Sequence, residues 1–336
     1  MARQRSIAVL WSQYLMARLA AIGLTALDER TNLRFAAALG RLAYGWDRRH
    51  RQRTQQNLQQ AFPDFTSPQI EALAQRSFEH LVQLAVEICQ TPRLIHGDSW
   101  SYRVSFKNID QTVELLNNGQ PVILVTGHLG NWEATGFLMA VWGYRVSAVA
   151  RPIDNPLINS WLLGIRERRG LQIITKWNAT QAIVDVIGSN GMVGFIADQN
   201  AGHKGIFVPF FGRLASTYKS IGLLALKYNV PVVCGYARRL EPGFRYEVGT
   251  TDIIRPQDWI GQRDPLYYVT ARYSRAIEHM IRQFPEQYLW MHRRWKCRPR
   301  HEQMGQPLPA TLRRKLEDLP WIDQAAIDQL AQPAPA

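Results

Sequence analysis

Between residues 102 and 249 the chain alternates short, β-branched-rich runs with stretches of helical periodicity. Strand-like runs fall at residues 102–106, 122–125, 145–150, 171–175, 192–197, 230–236 and 245–249; helical stretches fall at 109–117, 132–141, 155–169, 180–187 and 216–228. A strand regularly followed by a helix packs in one way only, as an α/β fold with a mostly parallel central sheet flanked by helices on both faces. Residues 122–125 are apolar throughout, as expected of a strand buried on both faces. Ligands of such sheets gather beyond the carboxyl ends of the strands. His128, Arg151 and Asp198 each follow a strand-like run, so they are expected to share one edge.

The run PVILVTGHLGNWE at residues 121–133 carries the first chemical signal. Gly127 and Gly130 allow an irregular turn after the strand, and Asn131 suits the cap of a helix running to about residue 141. Along a continuous helix of about 3.6 residues per turn, residues five apart point in different directions. His128 in the turn and Glu133 in the first helical turn can instead fold back on each other. The carboxylate then fixes the imidazole tautomer and leaves the second nitrogen to take a proton from a hydroxyl. The same pair serves equally well as a satisfied loop histidine and a helix-start glutamate favoured by the helix dipole.

The 336 residues allow one large or two ordinary domains. Forty Lys and Arg against 27 Asp and Glu give a formal charge of +13, which points to a polyanionic partner. Eleven tryptophans and twelve tyrosines beside that charge favour an anionic membrane surface. No nucleic-acid-reading motif accompanies them. Cys89, Cys234 and Cys297 are scattered, without C-x-x-C spacing, and fit a reducing cytosol. Residues 7–27 are long enough to cross a bilayer of about 20 residues, and Arg3 and Arg5 precede them. Ser12, Gln13 and Arg18 interrupt the stretch, which favours a helix lying in the interface, or one crossing with poor hydrophobicity, over one packed against the protein's own body. No small-residue cleavage site follows it. Residues 1–100 thus form a helical, membrane-associating anchor or lid, with a basic run at Arg48, Arg49, His50, Arg51 and Arg53. Residues 101–303 form the α/β domain, and 304–336, rich in Pro, Gln and Ala, form a loosely attached tail.

A second cluster, IADQNAGHKGIFVPFFGRLAST, occupies residues 196–217. Lys204 between two glycines suits a phosphate or the acidic surface of a carrier, and Phe207, Phe210 and Phe211 suit an acyl chain. A surface loop over a core-packed aromatic cluster has the same composition.

Together with ARP at 150–152, ADQN at 197–200, HKGIFVPFFGRLAST at 203–217 and PEQYLWMHRRWKCRP at 285–299, GHLGNWE at 127–133 resembles the bacterial lipid A biosynthesis acyltransferases. These lauroyl and myristoyl transferases lie within the lysophospholipid and glycerolipid acyltransferase superfamily. The resemblance implies transfer of a fatty acyl group from an acyl-carrier-protein thioester to a hydroxyl of a phosphorylated lipid A precursor, at the cytoplasmic face of the bacterial inner membrane. It also implies His128 as general base with Glu133 as its partner, and Arg151 on acceptor phosphate or the developing oxyanion. Asp198 looks like a second functional acid, and Arg293 and Arg294 contact phosphate or support the site. Asn131, Gln199 and Lys204 complete the expected substrate-binding set. Acyl-CoA as donor, and another glycolipid or a lysophospholipid as acceptor, fit the same motifs. A non-catalytic anionic-lipid-binding protein is the reading of a different class. A thioester already carries a good leaving group, so neither metal nor cofactor is expected. No G-x-S-x-G, H-E-x-x-H or G-x-x-x-x-G-K-[ST] motif is present.

Overall fold

In the computed structural model, residues 6–97, 99–167, 170–175, 179–241 and 243–331 are described. Arg3 and Arg5 and the end of the helix expected at 155–169 lie outside them. Four helices come first: α1 (Ile7–Thr25), α2 (Glu29–Trp46), α3 (Arg48–Ala61) and α4 (Ser67–Leu94). The alternating region follows as β1 (Val104–Lys107), α5 (Asp110–Asn117), β2 (Val122–Thr126), α6 (Trp132–Val141), β3 (Val146–Ala150), α7 (Pro156–Glu167), β4 (Gln172–Thr175), α8 (Ala179–Gly188) and β5 (Met192–Ile196). A hairpin, β6 (Ile206–Phe210) and β7 (Arg213–Thr217), precedes α9 (Ser220–Tyr228), β8 (Val232–Leu240) and β9 (Arg245–Ile254). The chain closes with α10 (Pro256–Trp259), α11 (Pro265–Gln283), α12 (Arg300–Gln303), α13 (Ala310–Glu317) and α14 (Gln324–Ala331).

The seven-stranded sheet has the order β1-β9-β8-β2-β5-β3-β4. Every pairing in it is parallel except β8 with β9, the mixed pattern common in large sheets. β2 is central, and its Val122, Ile123 and Val125 are buried, so an all-apolar run reads as a strand covered on both faces. Across β2, Thr126 pairs with Ile196 of β5. The residues that follow these two therefore emerge side by side at the carboxyl edge. Helix α11 covers one face with buried Tyr267, Tyr273, Ile277 and Met280.

Two expectations change. The helix expected from Ser216 begins at Ser220, because residues 213–217 pair with 206–210 across a tight turn in which Phe211 and Gly212 both adopt positive φ. Residues 304–331, expected to be loosely attached, carry α13 and α14, and Leu308, Leu316, Leu319, Ile327 and Leu330 pack into the main core. At the other end, α1 is long and apolar enough to cross a membrane, with mean hydropathy 1.4 and none of its window buried. Arg18 lies alongside Tyr14, donating to its hydroxyl at 2.9 Å, with its guanidinium 5.3 Å from the centre of the Trp161 ring.

Candidate active site

The turn after β2 is held by its backbone. The Gly130 N–H donates to the Gln287 carbonyl at 2.9 Å, the Asn131 N–H to the Ala237 carbonyl at 2.7 Å, and the Leu289 N–H to the His128 carbonyl at 3.0 Å. Gly130 has φ +57°, and a Cβ there would lie 2.2 Å from the Ala237 carbonyl oxygen, so only glycine fits. Asn131 accepts from the Ala134 N–H at 2.9 Å and donates to the Tyr246 hydroxyl at 3.2 Å. It is fully buried; its polar atoms are used in capping α6 and bracing the loop, not in reaching a substrate as the sequence suggested.

The carboxylate facing His128 is Asp198. Its Oδ1 lies 2.7 Å from His128 Nδ1, and its Oδ2 accepts the His128 backbone N–H at 2.8 Å. The two residues follow adjacent strands, which is the physical origin of the contact. Burial raises the Asp198 carboxyl, but the charge and hydrogen bonds of His128 outweigh it and hold it well below the usual carboxylate range. An ionised Asp198 places the imidazole proton on Nδ1 and leaves Nε2 as the basic atom. Gln199 Nε2 stands 3.5 Å from that atom.

Glu133 turns elsewhere: Arg166 of α7 grips it with Nε at 2.8 Å and Nη2 at 2.5 Å. The sequence expectation of a His128–Glu133 contact is corrected accordingly. A residue the sequence reading did not single out, His292, packs its ring edge-on against His128 with centroids 4.5 Å apart. Burial and the charge of His128, opposed by Asp198, bring the His292 pKa down to about 4. His292 is thus neutral near pH 7, where it lies against His128.

Arg151 follows β3, one strand beyond Asp198, with its side chain 79% exposed and 3.5 Å from Asp154. Gln199, Lys204 and Arg293 are exposed. Arg294 is buried, donating to the Ser216 carbonyl at 2.6 Å and to Thr217 Oγ1 at 2.7 Å. It ties β7 to the segment behind Asp198, the supporting half of the role expected for it. Behind the turn, Arg239 and Glu87 form a buried ion pair at 2.9 Å. The side chain of Gln287 bridges the Arg239 backbone, accepting its N–H at 2.9 Å and donating to its carbonyl at 3.0 Å. A buried ion pair broken on one side costs about 3–5 kcal/mol, so this floor resists distortion.

Beside the histidine turn opens a predominantly apolar cavity of about 330 Å³ between the sheet and α5–α7. Thr126, Trp132, Glu133 and Arg166 line its carboxyl-edge end, while Leu116, Met139, Val146 and Leu171 line the far end. Asp198 is not among its lining residues. Among the described residues, His128, Asp198 and His292 form the one grouping with metal-ligand chemistry, their ligand atoms within 4.8 Å of one another. Zinc bonds of about 2.0–2.1 Å need a tighter tetrahedron, and both Asp198 oxygens are already engaged by His128. The spacing suits a hydrogen-bonded base better than a closed metal site.

This arrangement can remove a proton from a hydroxyl at the sheet edge while an apolar chain lies in the cavity beside it. The chain is similar to known proteins over most of its length. The profile of the family described as bacterial lipid A biosynthesis acyltransferase matches residues 2–297. The chain is 26% identical to the lipid A biosynthesis lauroyltransferase of Escherichia coli strain K12, over 79% of this chain and 85% of that protein. It is 24% identical to the lipid A biosynthesis myristoyltransferase of the same organism, over 86% and 88% respectively. It is also 24% identical to a lipid A biosynthesis acyltransferase of Haemophilus influenzae, over 73% and 75%.

Proposed function

The chain belongs to the bacterial lipid A biosynthesis acyltransferase family, and from that premise we propose that it is an O-acyltransferase that esterifies a hydroxyl of a lipid A precursor with a fatty acyl group from an acyl-carrier-protein thioester. The observation that carries the mechanism is the 2.7 Å contact of Asp198 with His128 Nδ1, which leaves Nε2 as the basic atom of a ring packed on Trp132, a wall residue of the apolar cavity. In this reading Nε2 takes the proton of the acceptor hydroxyl as its oxygen attacks the thioester carbonyl. The tetrahedral intermediate collapses, the C–S bond breaks, and His128 returns the proton to the leaving thiolate. The products are an ester and a free thiol. Proton removal by a positioned base is worth roughly 10²–10⁴-fold. Asp198 steadies the imidazolium that forms, following the logic of the serine-hydrolase triad. The cavity holds the acyl chain, with Glu133 and Arg166 at its mouth.

Helix α1 and the basic residues of α3 support attachment at an anionic membrane, on the cytoplasmic face where carrier-protein thioesters are found. No cofactor is invoked. Mass spectrometry of lipid products tests the reading, with wild type and His128→Ala supplied with acyl-carrier-protein thioesters of several lengths and an underacylated lipid A precursor. One acyl group is expected to be added by wild type and none by the variant. Transfer to a lysophospholipid or another glycolipid but not to the precursor would sink the acceptor assignment. Use of acyl-CoA in place of the carrier thioester would sink the donor assignment.

A further inference from the structure

Helix α3 carries Arg49, Arg53 and Asn57 four residues apart, so the three share one face. That face lies on residues 290–292, part of the segment after α11 that packs against the histidine turn. Asn57 Nδ2 donates to the Trp290 carbonyl at 2.6 Å and to the His292 carbonyl at 2.9 Å, and Arg53 Nη1 donates to the Met291 carbonyl at 3.4 Å. Arg53 is thereby pinned beside the strand of chain bearing His292 and Arg293, and the His292 ring touches the His128 ring. None of Arg49, Arg53 and Arg293 has a carboxylate partner among the described residues. Asp47, the acid of the preceding turn, is taken up by His50 at 2.6 Å. Arg51 faces away, donating to the Tyr44 and Gly45 carbonyls. Burial, and the repulsion of Arg293 and Arg49, lower the Arg53 guanidinium from its ordinary value. Like charges four apart on a helix weaken it by a few tenths of a kcal/mol, a cost that an arriving anion reverses.

We propose that Arg49 and Arg53 of α3, with Arg293, form a subsite for a phosphate group of the acceptor, set beside the histidine pair. Guanidinium groups match phosphate oxygens with paired, charge-assisted hydrogen bonds. A subsite held by the same segment as His292 fixes where the acceptor hydroxyl falls relative to His128. The inference rests on the acyltransfer reading and adds the source of acceptor selectivity to it. The basic run of α3, read from sequence as a membrane contact, is thereby divided between two tasks.

The test compares a phosphorylated acylated disaccharide with the same disaccharide stripped of phosphate, using the full chain in detergent. In wild type the phosphorylated acceptor has the higher kcat/KM. Arg53→Ala lowers that preference tenfold or more, through KM for the phosphorylated acceptor, and Arg53→Lys restores part of it. An equal loss on both acceptors, or no loss on either, would overturn the subsite. A rise confined to the KM of the carrier-protein thioester would assign the three arginines to the donor's phosphopantetheine phosphate and overturn the acceptor assignment. Equilibrium binding of the two disaccharides, read by tryptophan fluorescence, needs no turnover and separates this inference from the catalytic one. Phosphate-dependent binding weakened tenfold in Arg53→Ala upholds the subsite even where no product forms. Phosphate-independent binding rejects it.

Discussion

Two carboxylates stand near the histidine turn, and they do different things. Glu133 is five positions from His128 in sequence and reaches Arg166 instead. Asp198 is seventy positions away and holds His128 through two hydrogen bonds. Glu133 lines the apolar cavity and Asp198 does not. Parallel strands make neighbours of residues distant in sequence, because β2 and β5 end side by side, whereas a turn followed by a helix separates residues that are close in sequence. On this contrast Asp198 is the partner of His128, and Glu133 is a wall residue of the cavity.

The largest effect is expected at Asp198. Asp198→Asn removes the charge that stabilises the imidazolium and is expected to lower kcat by roughly 10²–10⁴-fold, approaching the loss in His128→Ala. Single-turnover rates with saturating donor check this, and a loss smaller than that of Glu133→Gln would reverse the assignment of the two acids.

Acid stability probes the same side of the site. His292, at about 4, and His80, pushed well down by full burial, stay neutral in the fold. Below pH of about 6.5 their unfolded forms bind a proton and the folded forms do not, so stability falls with falling pH. For His292 alone the loss reaches about 3 kcal/mol by pH of about 4. Asp198, held low, contributes stability above the usual carboxylate range and loses it only at still lower pH. Thermal unfolding of His292→Gln is expected to show a flatter decline between pH 6.5 and 4 than wild type. Parallel curves would place the buried proton sink elsewhere.

Glu133→Gln comes next. Its ion pair with Arg166 is partly buried, at 14% and 21% side-chain exposure, and its loss is expected to cost about 1–3 kcal/mol of stability. Donor KM should rise while kcat falls at least tenfold less than in Asp198→Asn. Calorimetry and a donor titration separate the two contributions. The smallest effect is expected at the cavity wall, where Ala148 is a lining residue. Ala148→Leu is expected to shift donor preference about tenfold towards shorter chains, since each methylene in an apolar pocket is worth about 1–3 kcal/mol. Competition between thioesters of different length measures the shift, and an unchanged profile would remove the chain from this cavity.

Periodicity was enough to read the parallel sheet, because β1 to β4 are short and each is followed directly by a helix. It did not reveal the β6–β7 hairpin, whose turn residues Phe211 and Gly212 lack the usual Asn-Gly signature. Nor did it reveal the packed end of the chain, where the burying residues, Leu316, Leu319, Ile327 and Leu330, are sparse in a polar stretch. At the site, the shared edge of His128 and Asp198 was legible from strand ends. Their contact was not, because strand order is a property of the whole sheet. His292 was hidden in an aromatic and basic run, and only tertiary folding sets it against His128.

The site draws on both ends of the chain: Asn57 on α3, Gln287 beside Gly130, and His292 against His128. A nascent chain therefore displays its apolar first helix long before it owns a complete site. At about 5–20 residues per second, the roughly 270 residues between α1 and His292 take on the order of 15–50 s to synthesise. During that interval the first helix is free to find its surroundings while the residues it will later serve do not yet exist. Delivery to its working place can thus precede competence.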